Sequence, residues 1–274
     1  MDTQESTELK PSRTAAARAA LAKKLGGLSP LAKGREREKK ALEWIYRWGW
    51  ASSTTLELLV DTKRSGLALR LIKNKLIIST DTDGMTSKYV PGAYLTLTKQ
   101  GYEQIEDQLE LGLDYAQNER VNLANLKHDE IAQRRTASAL VHGAIRGYVT
   151  EKEMADKFKE GIKKPDVLWI FPDGTKAAIE VELTQKFNRD LDVFVRSNLI
   201  SLSNKERDAH TPDVIYIITT NLTLRKNYEN AFAPGATYNK WFKDKDKNRW
   251  LKYDKPGVVP DWIKDKIMWE IIHK

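Results

Sequence analysis

The stretch KPDVLWIFPDGTKAAIEVELTQK, residues 164–186, decides how the second half of this chain is read. Pro172-Asp173-Gly174 is a turn signal, because proline presets φ and glycine adopts conformations that other residues avoid. Apolar, β-rich runs flank it, which predicts a hairpin with strands near 166–171 and 176–184. If the three turn residues form the loop, Phe171 faces Thr175 and Asp166 faces Glu180. A slip of one residue would undo that pairing. Side chains alternate along a strand. Ala177, Ile179, Val181 and Leu183 therefore point one way, and Lys176, Ala178, Glu180, Glu182 and Thr184 the other. Glu180 and Glu182 share a face, and the register brings Asp166 to it.

Three converging carboxylates repel and raise one another's pKa. A divalent cation removes the conflict, and hard oxygen ligands suit Mg²⁺ or Mn²⁺. Such an ion can orient water and neutralise charge on a phosphate. The plainer reading is an open strand face of solvated acids. The apolar neighbouring strands and flanking helices argue against it.

Working outward, 186–204 reads as a helix, DVIYIIT at 213–219 as a strand buried on both faces, and 223–232 as a helix. Residues 236–256 are Lys-rich and irregular, and KIMWEIIHK at the end is a final strand. Upstream, a long helix over 119–147 precedes a strand at 148–152. The expected fold of 119–274 is α/β with a mixed central sheet (α+β for the whole chain).

The first half has a different grammar. Residues 1–34 read as a flexible basic arm with one short helix at 12–25, and 113–118 as a linker. Within 35–112, helices are expected at 35–49, 54–60 and 63–75, then a hairpin turning at Asp83-Gly84, then a helix from Thr98 to about Gly112. Helix, short helix, basic helix and hairpin is the order of a winged helix-turn-helix. Its third helix would enter the major groove of duplex DNA, held by Lys63, Arg64, Arg70, Lys73 and Lys75. A small α+β domain with a solvated basic helix is the competing reading.

Composition agrees with a polyanionic partner. The net charge is +8 and the isoelectric point about 9.3. The absence of cysteine excludes disulfides, zinc–thiolate sites and thiol nucleophiles. The four histidines form no metal-binding pair motif. No apolar run is long enough to span a membrane, and the N-terminal stretch has no apolar core of a secretory signal. A cytoplasmic protein without membrane insertion is expected.

Asp166, the preceding Pro165 and Glu180-x-Glu182 resemble the PD-(D/E)XK nuclease motif. The resemblance implies a restriction-endonuclease-like domain in which Asp166 and Glu180 bind the metal. The third motif position, usually Lys, is here Glu182. Lys186 on the adjacent helix is the candidate replacement, with Lys176 the runner-up. Glu130, on the helix before the first strand, matches the place from which many such nucleases draw a further metal ligand. Arg134 one turn later offers a structural ion pair instead. His128 is expected at the surface, within reach of a substrate phosphate.

Domain order, the acidic hairpin and FNRDLDVFVRSNL at 187–199 together resemble the replication-relaxation family, in particular its MobC-type plasmid mobilisation relaxases. That resemblance covers about residues 35–220. It implies a nick in one strand at a plasmid origin of transfer, with double-stranded and nicked DNA, a relaxosome accessory protein and a secretion coupling protein as partners. Arg189 and Arg196 could contact the cut strand or pack structurally. The competing readings are a non-catalytic replication or transcription regulator with a degenerate nuclease fold, and a defence or repair nuclease.

Overall fold

The computed structural model describes residues 26–62, 66–82, 88–115, 120–154, 163–204, 206, 208–244 and 248–272. The chain is a mixed α and β protein. Its first helix, α1 (Pro30–Trp48), begins earlier than the apolar periodicity predicts. Ser29 caps it by accepting from Ala32 N at 3.1 Å, and Pro30 occupies the first turn. It ends at Gly49, whose φ of 87° is easy only for glycine. Residues 30–34, expected in the arm, are therefore helical; the arm's predicted helix at 12–25 lies outside the described residues.

Two short helices follow, α2 (Ser53–Leu59) and α3 (Leu67–Lys73). Then β1 (Ile77–Asp81) and β2 (Ala93–Leu97) pair antiparallel, with Ile77 opposite Leu97. The expected Asp83-Gly84 turn lies outside the described residues. Next comes α4 (Lys99–Leu109), capped by Thr98. Its Gly101 lies so close to the chain that an added Cβ would sit 2.0 Å from the Leu76 carbonyl oxygen. Only glycine lets α4 fold back onto the strand.

The long helix expected over 119–147 is shorter: a 3-10 turn at Leu123–Asn125 leads into α5 (Leu126–Val141). Five strands then build one sheet. They are β3 (Gly147–Thr150), β4 (Val167–Ile170), β5 (Lys176–Glu182), β6 (Val214–Thr219) and β11 (Ile267–Ile271), in the order β11-β6-β5-β4-β3. β3, β4 and β5 are antiparallel neighbours, while β6 runs parallel to β5 and β11 parallel to β6. The parallel steps need crossovers: α6 (Asn188–Ser203) links β5 to β6, and α7 (Leu222–Ala231) follows β6.

Residues 236–256 are not irregular. They form strands β7 (Thr237–Tyr238), β8 (Trp241–Asp244) and β9 (Arg249–Lys252), with β10 (Gly257–Val258) just beyond. β8 pairs with β9, and β7 with β10. Short paired strands with charged residues on both sides leave little hydrophobic alternation to read.

The central sheet is covered on both faces. Ala177, Ile179 and Val181 pack with Ile131 and Ala137 of α5. Ala178 packs with Phe194 and Leu199 of α6 and Tyr228 of α7. The chain over 110–115, near the expected linker, has no regular structure. Yet one buried core runs from Leu42 and Trp44 of α1 to Ile179 and Ile218 of the sheet. Trp44 Nε1 donates to Gln133 Oε1 at 2.8 Å, and Thr150 Oγ1 donates to the Arg47 carbonyl at 3.0 Å. The two halves are thus welded by apolar burial and by buried hydrogen bonds. Among the described residues, no helix is long and apolar enough to cross a membrane.

Candidate functional site

The hairpin has the register read from the turn. Val167 pairs with Ile179, Ile170 with Lys176, and Phe171 N donates to the Thr175 carbonyl at 2.9 Å. Pro165 lacks an N–H, so the ladder stops beside it. Asp166 still donates its backbone N–H to Ile179, at 3.1 Å. Its carboxylate then takes the place of the next ladder acceptor: Oδ2 accepts the Val181 N–H at 2.7 Å.

The same oxygen lies 3.0 Å from His128 Nε2, in the first turn of α5. His128 Nδ1 is 2.9 Å from Asp129 Oδ1. Burial opposes charge on this ring, but hydrogen bonds to the two carboxylates outweigh it and push the imidazolium up to about 10. His128 is therefore a cation at neutral pH. Burial works against ionisation of Asp166, but His128, Lys163 and the Val181 N–H together hold its carboxyl below the usual range.

Glu180 is buried, at 1% exposure. Its Oε2 pairs with Lys163 Nζ, while Oε1 has no partner among the described residues. Burial pushes its carboxyl up to about 8; Lys163 opposes this, and Asp166 and Glu182 add to it. Glu182, also buried, pairs with Lys186 Nζ and accepts from the Tyr228 hydroxyl at 3.0 Å. Burial and the Glu182 carboxylate push the Tyr228 phenol well above its ordinary range. The Phe194 ring lies beneath both ammonium groups, 5.2 Å from Lys163 and 4.7 Å from Lys186. Each acid thus has its own cation: His128 for Asp166, Lys163 for Glu180 and Lys186 for Glu182.

Glu182 and Lys186 pair directly, while Asp166 and Glu182 lie near enough to Glu180 to act on its charge. Glu130 is turned elsewhere. It is buried on α5, and its Oε1 accepts from Ser52 Oγ at 2.7 Å and Thr55 Oγ1 at 3.2 Å. The reason is geometric: α5 packs on the Ala177/Ile179/Val181 face of the sheet, opposite the Glu180/Glu182 face, and Glu130 meets α2. Among the described residues no hydrogen bond or ion pair joins Glu130 to the acidic hairpin or to Arg134, the two alternatives the sequence left open, although Arg134 is near enough to favour its charged form. His128, expected at the surface, is half-buried on Asp166 instead. Lys163 was missed; the Lys163-Lys164 pair ahead of Pro165 was the available signal. Lys176 reaches the carbonyl of Asp208 at 2.8 Å and takes no part.

Among the described residues, no three His, Asp or Glu side chains are arranged to hold a metal ion. Mg²⁺ needs fewer protein ligands than that, because it keeps several waters and binds through one or two carboxylates plus substrate phosphate. Asp166 and the Oε1 of Glu180, which has no partner among the described residues, are hard oxygens of the kind such an ion takes. Asp166 also lines a cleft of about 390 Å³ between the two halves, walled by Trp50, Asp129, Thr150, Lys152 and Lys164.

In the first half, Arg70 and Lys73 stand exposed on α3 and Lys75 on the turn after it. Arg70 Nε lies 3.9 Å from Glu38 Oε2. Lys63 and Arg64 lie outside the described residues; the third helix begins at Leu67, after Gly66 in a left-handed conformation. No family model, curated protein or solved structure matches the chain, so the site is read on its own chemistry.

Proposed function

We propose that this chain is a DNA-binding endonuclease that needs Mg²⁺ or Mn²⁺. The observation that carries the reading is the hairpin register, which sets Val167 opposite Ile179 and so Asp166 at the end of the ladder near Glu180, together with a buried Glu180 carboxylate oxygen that has no partner among the described residues. Asp166 and Glu180 would hold the ion. When bound, it would neutralise charge on the scissile phosphate and lower the pKa of a bound water. Lys186, held by Glu182, is a cation placed to orient a phosphate. His128, protonated at neutral pH, is a proton donor beside Asp166. The first half supplies duplex affinity, read as a winged helix with Arg70, Lys73 and Lys75 on phosphates. The resemblance to MobC-type relaxases extends the reading to one-strand nicking at a plasmid origin of transfer.

One observation favours a second reading, a non-catalytic DNA-binding regulator: the three lysine and histidine partners already balance the three acids. Nicking of supercoiled plasmid separates the two. Asp166→Asn is expected to lower the Mn²⁺-dependent nicking rate about 100-fold or more at matched DNA occupancy. If wild type and Asp166→Asn nick alike, or neither nicks, the regulator reading replaces the nuclease.

A further inference from the structure

The Lys-rich segment after α7 plays no part in the acidic site. Over 236–256 it holds seven Lys and Arg against three Asp, with five aromatic residues among them. The fold sorts these residues. In the β8–β9 hairpin Trp241 lies opposite Lys252, and Lys243 opposite Trp250. Directly opposed residues share a face, so two tryptophans and two lysines stand together in a diagonal pattern. Lys252 Nζ is 5.0 Å from the Trp241 ring centroid.

This face is fixed in place by α6. Asp192 accepts from Trp241 Nε1 at 2.8 Å, and from Asn239 N at 3.0 Å and its Nδ2 at 2.9 Å. Trp241 is thereby an anchor. Trp250 is different: it is 45% exposed, and its ring meets the Arg189 guanidinium at 5.0 Å. Arg189 follows Lys186, the partner of Glu182, by three residues. The platform therefore begins where the chain leaves the acidic strand. Phe187, 68% exposed, lies between them in sequence.

We propose that Trp250, Lys243, Lys252 and Arg189 form a platform for single-stranded DNA, independent of the duplex contacts of the first half. An exposed indole offers a face on which an unpaired base stacks whatever its sequence, and the flanking cations meet the phosphates. A duplex cannot use the indole, because its bases are already stacked. The proposal shares with the preceding reading only its DNA partner and does not require cleavage.

The test is anisotropy titration of the full chain against dye-labelled oligo(dT) of about 20 nucleotides in EDTA, beside a duplex and oligo(U). Trp250→Ala is expected to weaken oligo(dT) binding about tenfold, Trp250→Phe less than about threefold, and neither to change duplex binding. Lys243→Glu with Lys252→Glu is expected to weaken oligo(dT) binding and flatten its salt dependence. Thermal melts check that each variant is folded. The platform is overturned if Trp250→Ala and the double lysine variant both bind oligo(dT) within about twofold of wild type. Equal losses on duplex would also overturn it, as would a marked preference for oligo(U). Because no metal is present, a failure here leaves the nicking result standing, and the converse.

Discussion

The central sheet carries a buried carboxylate site on each side, and the two are built differently. Beneath α6 and α7, Glu180 and Glu182 each face a lysine. Beneath α5, Glu130 faces only two hydroxyls, from Ser52 and Thr55, and one of its oxygens has no partner among the described residues. A buried carboxylate that lacks a cation lowers its cost by taking up a proton. Burial accordingly pushes Glu130 up to about 7, against the hydroxyls and the nearby Arg134. The difference separates a polar tie between two halves of the molecule from a charged site. The first holds its carboxyl without an ion pair. The second pairs Asp166 with His128 and Glu182 with Lys186, and even with Lys163 beside it burial raises Glu180 to about 8.

The largest effect is expected on the charged side. Lys163→Met should destabilise the fold by about 3–5 kcal/mol, because it strands Glu180 in the core. Adding Glu180→Met should recover most of that loss, read by denaturant unfolding. A loss under about 1 kcal/mol for the single variant would show that Lys163 does not compensate Glu180.

The Glu130 side should respond to pH. Its folded pKa lies above the unfolded value, so the folded state holds the proton more tightly. The contribution is full below about pH 4.5 and is lost as pH rises through about 7, a span of about 3 kcal/mol. Glu130→Gln should remove that component from stability measured at intervals from about pH 5 to 8. An unchanged pH profile would sink the neutral-carboxyl account. The smallest effect is expected for Ser52→Ala. It removes the cap of α2 (Ser52 Oγ accepts from Thr55 N at 3.0 Å) and one donor to Glu130. A loss of about 1–2 kcal/mol is expected, read as a lower melting temperature.

Much of the hairpin was legible because its signals are local. Pro172-Asp173-Gly174 sets the turn, and the turn sets the register that places Val167 opposite Ile179 and brings Asp166 to the end of the ladder near Glu180. Lys186, expected on the adjacent helix, lies in the loop before α6, where it pairs with Glu182. His128 and Glu130 were misplaced for a common reason. Periodicity says which side of a helix is apolar but not what packs against each side. α5 meets α2 through Glu130 and meets Asp166 through His128, both partners distant in sequence. The paired strands over 236–256 were hidden because their faces mix tryptophan with lysine, so no apolar alternation marks them.

By itself, the sequence determined the register of the acidic hairpin, the shared face of Glu180 and Glu182, and the order of helices and strands between Pro30 and Ala231. These follow from turn chemistry and from the two-residue repeat of an extended chain, which need no distant partner. Tertiary structure alone decided which cation balances each acid, that Glu130 lies across the sheet from the other two glutamates, and that both halves share one core. Those outcomes depend on which helix covers which face. Burial then fixes the charge each carboxyl can carry.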